Sequence, residues 1–207
     1  TDPAFRVART LELGAVDRVA LALEDSRLEG QGQPPRFAVA HPVELMPLEE
    51  EGWERLPNGE LRWRLRVVAD DAESINFGFT RYRMPDGGRL AIYAADGSAL
   101  LGPYTAEDNR DHGQLWTPVL LTRDAIVELT VPEAVRGSLD LVLGTINQGY
   151  RGFGSSASGP DKSGSCNVDV ACPDGDPYRD IIRSVARITI SGRFLCSGAM
   201  IHNTLQN

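Results

Sequence analysis

Residues 16–28, VDRVALALEDSRL, place Val16, Val19, Ala20 and Leu23 at i, i+3, i+4 and i+7. That spacing is one face of a short helix, with Asp17 at its N-cap position. GQGQPP (30–35) ends it. RFAVAHPVEL (36–45) reads as extended, and Pro42, which has no N–H to give a ladder, disfavours a central strand. From residue 53 the period changes to two. LRWRLRVV (61–68) alternates apolar and polar positions, and Asn58-Gly59 before it is a hairpin turn signal. SINFGFTRYRM (74–84) puts Ile75, Phe77 and Phe79 on one face; MPDGG then turns the chain into RLAIYA (89–94), and DGS turns it again. QLWTPVLL (114–121), AIVELTV (125–131) and SLDLVLGTI (138–146) complete the set. Short strands separated by turn residues predict a mainly β chain built on an antiparallel β-sandwich, jelly-roll-like, with Trp63 and Trp116 in its core.

The pattern breaks at GYRGFGSSASGPDKSGS (149–165), a Gly/Ser-rich stretch that reads as an exposed linker. Beyond it SVARITI and RFLCSGAMI read as two strands joined by a tight Ser-Gly turn. Two strands cannot bury a core of their own, so the last part of the chain reads as the beginning of a second domain. The division is 1–48, an N-terminal segment with a short helix; 49–148, the β-sandwich; 149–162, the linker; and 163–207, the start of the second domain.

Composition narrows the function classes. A chain of 207 residues with 42% hydrophobic content can bury a real core in one or two domains. A net charge of −8 argues against nucleic acid, whose phosphates need clustered Lys and Arg. No run approaches the length of a membrane span, so no transmembrane helix is expected. The chain opens on Thr1 with no basic-then-apolar leader, so a signal peptide is absent from it. The three cysteines, Cys166, Cys172 and Cys196, all follow residue 165. An odd number fits missing disulfide partners in an exported protein, or buried free thiols in a cytosolic one. Of the 21 Lys and Arg residues only Lys162 is a lysine, and it lies in the linker.

FLCSGAMI (194–201) resembles the chymotrypsin-fold strand written Cys-Gly-Gly-Ser-Leu-Ile, with Cys196 at the strand cysteine and Ser197-Gly198 at the small pair. More specifically, SGSCNVDVACPDGDPYRDIIRSV (163–185) resembles the mature N-terminus of secreted bacterial lysyl endopeptidases and their trypsin-like relatives. Residues 50–153 resemble the cysteine-free pro-region of these proteases through GWERLPNGELRWRLRV, DHGQLWTPVL and LGTINQGYRGF.

This resemblance implies a secreted serine endopeptidase precursor, with a β-sandwich pro-domain followed by the first strands of an incomplete chymotrypsin-like β-barrel. It makes Lys162–Ser163 the bond cut in self-processing, and Cys166, Cys172 and Cys196 half-cystines whose partners lie further along the precursor. The Ser, His and Asp of the triad are expected downstream of Asn207, so this chain itself is expected to be inactive. Six residues past Cys196 and without a following Cys, His202 reads as a loop histidine. The implied partners are the chain's own downstream protease domain and the protein or peptide substrates of the full-length enzyme. The pro-domain acts as folding aid or inhibitor, and residues 163–207 pack only provisionally against it.

AEDNRDHG (106–113) gathers Glu107, Asp108 and Asp111, carboxylate oxygens of the kind a calcium site on a jelly-roll loop uses. The competing reading is a solvated loop with Arg110 and His112 as counter-charges. No other cofactor is indicated, and no two histidines have metal-ligand spacing. The alternative function is a β-sandwich module that binds carbohydrate or a surface polymer and carries a cysteine-containing tail. Such a site needs exposed, coplanar aromatic rings, whereas a pro-domain core buries them.

Overall fold

A computed structural model describes residues 6–152 and 173–200. The chain is mainly β, with mixed and antiparallel sheets, none closed into a barrel. In the larger sheet the order is β1 (Arg9–Glu12), β4 (Glu60–Val68), β9 (Asp124–Pro132), β6 (Arg89–Ala94) and β7 (Leu100–Tyr104), with β3 (Glu54–Arg55) also paired to β4. The second sheet orders β2 (Ala38–Leu45), β10 (Asp140–Gly149), β5 (Ser74–Arg83) and β8 (Leu115–Trp116). A separate hairpin pairs β11 (Val185–Ile190) with β12 (Phe194–Ala199), preceded by a 3-10 turn, Pro173–Tyr178, and a short helix α2 (Arg179–Ile182).

The period-two pattern explains the register. Trp63, Leu65 and Val67 lie opposite Leu129, Val127 and Ala125, and Leu90 and Ile92 continue the same rows on β6. All eight contribute to a core cluster that also takes Ile75, Phe77 and Phe79 from β5 and Leu141, Leu143 and Ile146 from β10. The two larger sheets therefore share one core. Leu143 and Ile146 both face it although they are three apart, because the register shifts between Leu143 and Thr145, where Gly144 is the extra residue. Pro42 sits on β2 at the sheet edge, where its missing N–H costs no ladder bond.

Four expectations are corrected. The sheets are not purely antiparallel, since β1 runs parallel to β4. The strand expected over 114–121 contracts to Leu115–Trp116 plus a bridge from Leu120 to Ile75, because Pro118 interrupts the ladder. Trp63 is buried, but Trp116 is 39% exposed and lies flat on the sheet over Gly78, where a Cβ would come within 2.5 Å of its ring. The helix forms as α1 (Arg18–Gly30), and Asp17 caps it by accepting from the Val19 and Ala20 N–H groups. Its apolar face is not what packs: Val19 and Leu23 are 73% and 71% exposed, and the buried residue is Asp25.

Burial also shapes the phenols. It is the chief cause raising the pKa of Tyr82, Tyr93, Tyr104 and Tyr150 above the ordinary value, with Tyr93 and Tyr150 pushed up to about 12. Neighbouring carboxylates add to it: Asp108 at Tyr82 and Tyr104, Glu128 at Tyr93, and Asp25 at Tyr150. Unfolded tyrosine ionises near 10, so above that pH the unfolded chain releases protons that the folded chain keeps. Stability is full below about pH 10 and falls from there through about 12. Thermal melting across alkaline pH will show Tm dropping above about 10, with phenolate absorbance rising together with unfolding. A Tm flat through that window would contradict it.

Candidate functional site

The chain's most constrained polar groups meet where the first sheets hand over to the C-terminal segment. Asp25, 4% exposed, projects from α1. Its carboxylate accepts from Arg36 Nε at 2.9 Å and from the Tyr150 hydroxyl at 2.5 Å. Arg36 also donates to Glu24 at 2.7 Å, and Arg151 donates to Glu29 at 2.7 Å. Burial opposes the Arg36 charge, but the hydrogen bonds to Glu24 and Tyr150 and the field of Asp25 outweigh it and hold the guanidinium above its ordinary pKa. Helix α1 is thus fixed by charge to the residues before β2 and to the end of β10.

Residues 35–37 form the hinge of this arrangement. The Phe37 carbonyl accepts from the Tyr150 and Arg151 N–H groups at 3.1 and 3.3 Å, where the chain leaves β10. The Phe37 N–H donates to the Arg193 carbonyl at 2.8 Å, and the Leu195 N–H donates to the Pro35 carbonyl at 2.8 Å. Arg36 and Phe194 form an antiparallel bridge between them. The same three residues therefore hold the chain on one side of residues 153–172 and the tip of the β11–β12 hairpin on the other.

Below the tip lie two asparagines. Asn76 on β5 and Asn147 on β10 are cross-strand partners, 1% and 0% exposed. Asn147 Nδ2 donates to Asn76 Oδ1 at 2.9 Å, and Asn76 Nδ2 donates to the Gly192 carbonyl at 2.8 Å. Ser191 and Gly192 both have positive φ, 51° and 65°, as a type I′ turn requires.

The residues singled out by sequence are distributed as follows. Lys162, Ser163, Cys166, Cys172 and His202 lie outside the described residues. Cys196 sits on β12 opposite Ile188 as an exposed free thiol. Among the described residues no three acidic, His or Cys side chains come together to hold a metal, those of the 106–113 loop included. The reason is local. Asp108 is spent as a reciprocal cap, accepting from the Thr105 N–H at 2.7 Å, while Arg110 folds back onto the Glu107 and Asn109 carbonyls. Glu107 and Asp111 extend no carboxylate toward a common centre with it. His41 Nε2 lies 2.7 Å from Gln148 Oε1, and His112 Nδ1 accepts from the Gln114 N–H. The arrangement positions chain segments against one another. Among them, no helix is long and apolar enough to cross a membrane.

Sequence reasoning missed Asp25, Arg36, Tyr150, Asn76, Asn147 and Gly192 as a set. The available signal was that Asn76 alternates with core residues of β5, and so must face away from the core.

Residues 160–207 match the family model described as lysyl endopeptidase, C-terminal domain, which relates this part of the chain to the lysyl endopeptidases. The match covers less than a quarter of the chain. No solved structure matches the chain.

Proposed function

We propose that the chain is the pro-region and the opening of the mature domain of a secreted, self-processed serine endopeptidase, trypsin-like in fold and specific for lysine. The observation that carries this is the family match, which begins two positions before the only lysine in the chain. In this reading residues 49–148 are a β-sandwich pro-domain whose sheets take β1 and β2 from the N-terminal segment 1–48, 149–162 is the linker, and 163–207 are the first strands of the protease barrel. Two open sheets on one core support the sandwich. Hydrolysis of Lys162–Ser163 separates the two parts, and the pro-region, holding no other lysine, survives the enzyme it releases. Cys166, Cys172 and Cys196 find their disulfide partners in the remainder of the precursor, as does the Ser-His-Asp triad that carries out the hydrolysis. The exposed Ile188, Ile190 and Val185 of the hairpin are surface that the rest of the barrel covers.

The alternative, a carbohydrate- or surface-binding module, needs several exposed rings. Phe37, Trp63, Phe77, Phe79 and Tyr82 are buried, and Trp53 is half-buried with its ring under Arg136; the exposed rings among the described residues, Trp116 on β8 and Tyr178 ahead of α2, sit on separate elements.

Expression of the complete gene tests the proposal. The secreted mature protein will begin Ser163-Gly164-Ser165-Cys166, and Lys162→Gln will accumulate uncut precursor. Lys162→Arg separates the specificities: it stays uncut if the enzyme takes lysine alone and matures normally if it takes either base. Normal maturation of Lys162→Gln would overturn the processing site.

A further inference from the structure

We infer that the Asn76–Asn147 pair is a recognition seat for the Ser191-Gly192 turn, through which the pro-region binds the first hairpin of the mature domain by its backbone. The inference rests on the proposed division of the chain at Lys162–Ser163 and adds to it the surface and the partner.

Three observations converge on this seat. The first is burial without a core role. Asn76 alternates with Ile75 and Phe77, which belong to the core, so its amide is on the opposite face of the sheet. A buried primary amide is costly unless its donors and acceptors are paired. Asn76 is paired by Asn147 on one side and by the Gly192 carbonyl on the other. Without the hairpin, Asn76 Nδ2 loses that carbonyl. Asn147 Oδ1 is itself buried with no partner among the described residues, an acceptor still open at the seat.

The second is the fit at Gly192. A Cβ there would lie 2.2 Å from Asn76 Oδ1 and 2.4 Å from Asn147 Nδ2. The glycine is therefore required twice, by the positive φ of the turn and by contact with the two amides. Those requirements are separable, because a type I′ turn also accepts Asn at such a position whereas the seat has no room for any side chain.

The third is the backbone register. Residues 35–37 add to the start of β12 as a short extra strand, with the Phe37 N–H and the Leu195 N–H as donors. This is recognition by strand addition, in which main-chain bonds supply the affinity and a side-chain contact supplies the selectivity. Only the turn end of the hairpin is engaged. Val185, Ile188 and Ile190 on β11 stay exposed. The seat holds the hairpin in register while leaving uncovered the apolar side chains that later strands of the mature domain need.

Amide hydrogen exchange on the full 207-residue chain tests this. Phe37 and Leu195 amides will be protected in the unaltered chain. Gly192→Asn, which the turn tolerates, and Asn76→Ala will each speed their exchange by about tenfold or more, with Ile126 and Leu129 of the large sheet unchanged. The two changes combined will add little to either alone, because both remove one contact. Unchanged exchange at Phe37 and Leu195 in Gly192→Asn would overturn the seat. So would independent, additive effects of the two substitutions. The readout is docking and not cleavage, so the two proposals can fail separately. Protected amides in a precursor that is never cut after Lys162 would leave the seat and remove the processing reading, and free exchange in a precursor cut there would do the reverse.

Discussion

Asp25→Ala will lower the free energy of unfolding by about 3–5 kcal/mol. The carboxylate is buried and serves two groups that have few other partners, Arg36 Nε and the Tyr150 hydroxyl. Removing it leaves a guanidinium whose side chain is 15% exposed with only Glu24 for a counter-charge, and Glu24 is itself 47% exposed and screened by water. It also leaves a phenol whose remaining acceptor is the Arg36 carbonyl at 3.4 Å, so two desolvated groups lose their better partners at once. In urea the midpoint will fall with an unchanged slope, the mark of lost stability without a changed unfolded state. Replacing the whole set by apolar side chains, Asp25→Leu with Arg36→Met and Tyr150→Phe, will recover much of the loss, because no charge is then left stranded. Because Arg36 lies between the two residues that hold the hairpin, Asp25→Ala will also speed exchange at the Leu195 amide. A cost below about 1 kcal/mol would mean that the network behaves as a solvated surface pair.

The strands of the two sheets were legible wherever one face is buried and the other wet. LRWRLRVV reads as β4 because Trp63, Leu65 and Val67 face the core while the arginines between them pair outward, Arg64 with Glu128 and Arg66 with Asp124. β1 and β7 carry too few residues for a period to emerge, and β7 holds Gly102 and Pro103; β4, distant in sequence, defines β1, and the hairpin partner β6 defines β7. Helix α1 was legible as a helix but not in its packing, since a charged residue and not the apolar stripe makes the attachment. At the junction the limit is sharper. The Ser-Gly turn and the two strands of the hairpin could be read locally, and so could β5. That an outward-facing Asn76 meets Gly192 could not, because the two are 116 positions apart and no periodicity relates them. The same holds for Tyr150 and Asp25, separated by 125 positions.

Trp63→Ala will destabilise the chain by about 3–5 kcal/mol, the range for emptying a large aromatic site in a packed core. The indole is 1% exposed and lies in the cluster shared by both sheets, opposite Leu129 on β9. Trp116→Ala will cost less, because that ring is 39% exposed and covers only the outer surface at Gly78. The composition of the side chain separates shape from polarity at the inner site. Trp63 Nε1 is buried with no hydrogen-bond partner among the described residues, a donor whose desolvation is not offset. Leaving such a group unpaired costs about 1–3 kcal/mol, so Trp63→Phe gives up ring area but removes that burden. Its urea midpoint will therefore lie nearer that of the unaltered chain than that of Trp63→Ala. Equal losses for Phe and Ala would show that the indole's full shape, and not merely an apolar ring, is what the two sheets close upon.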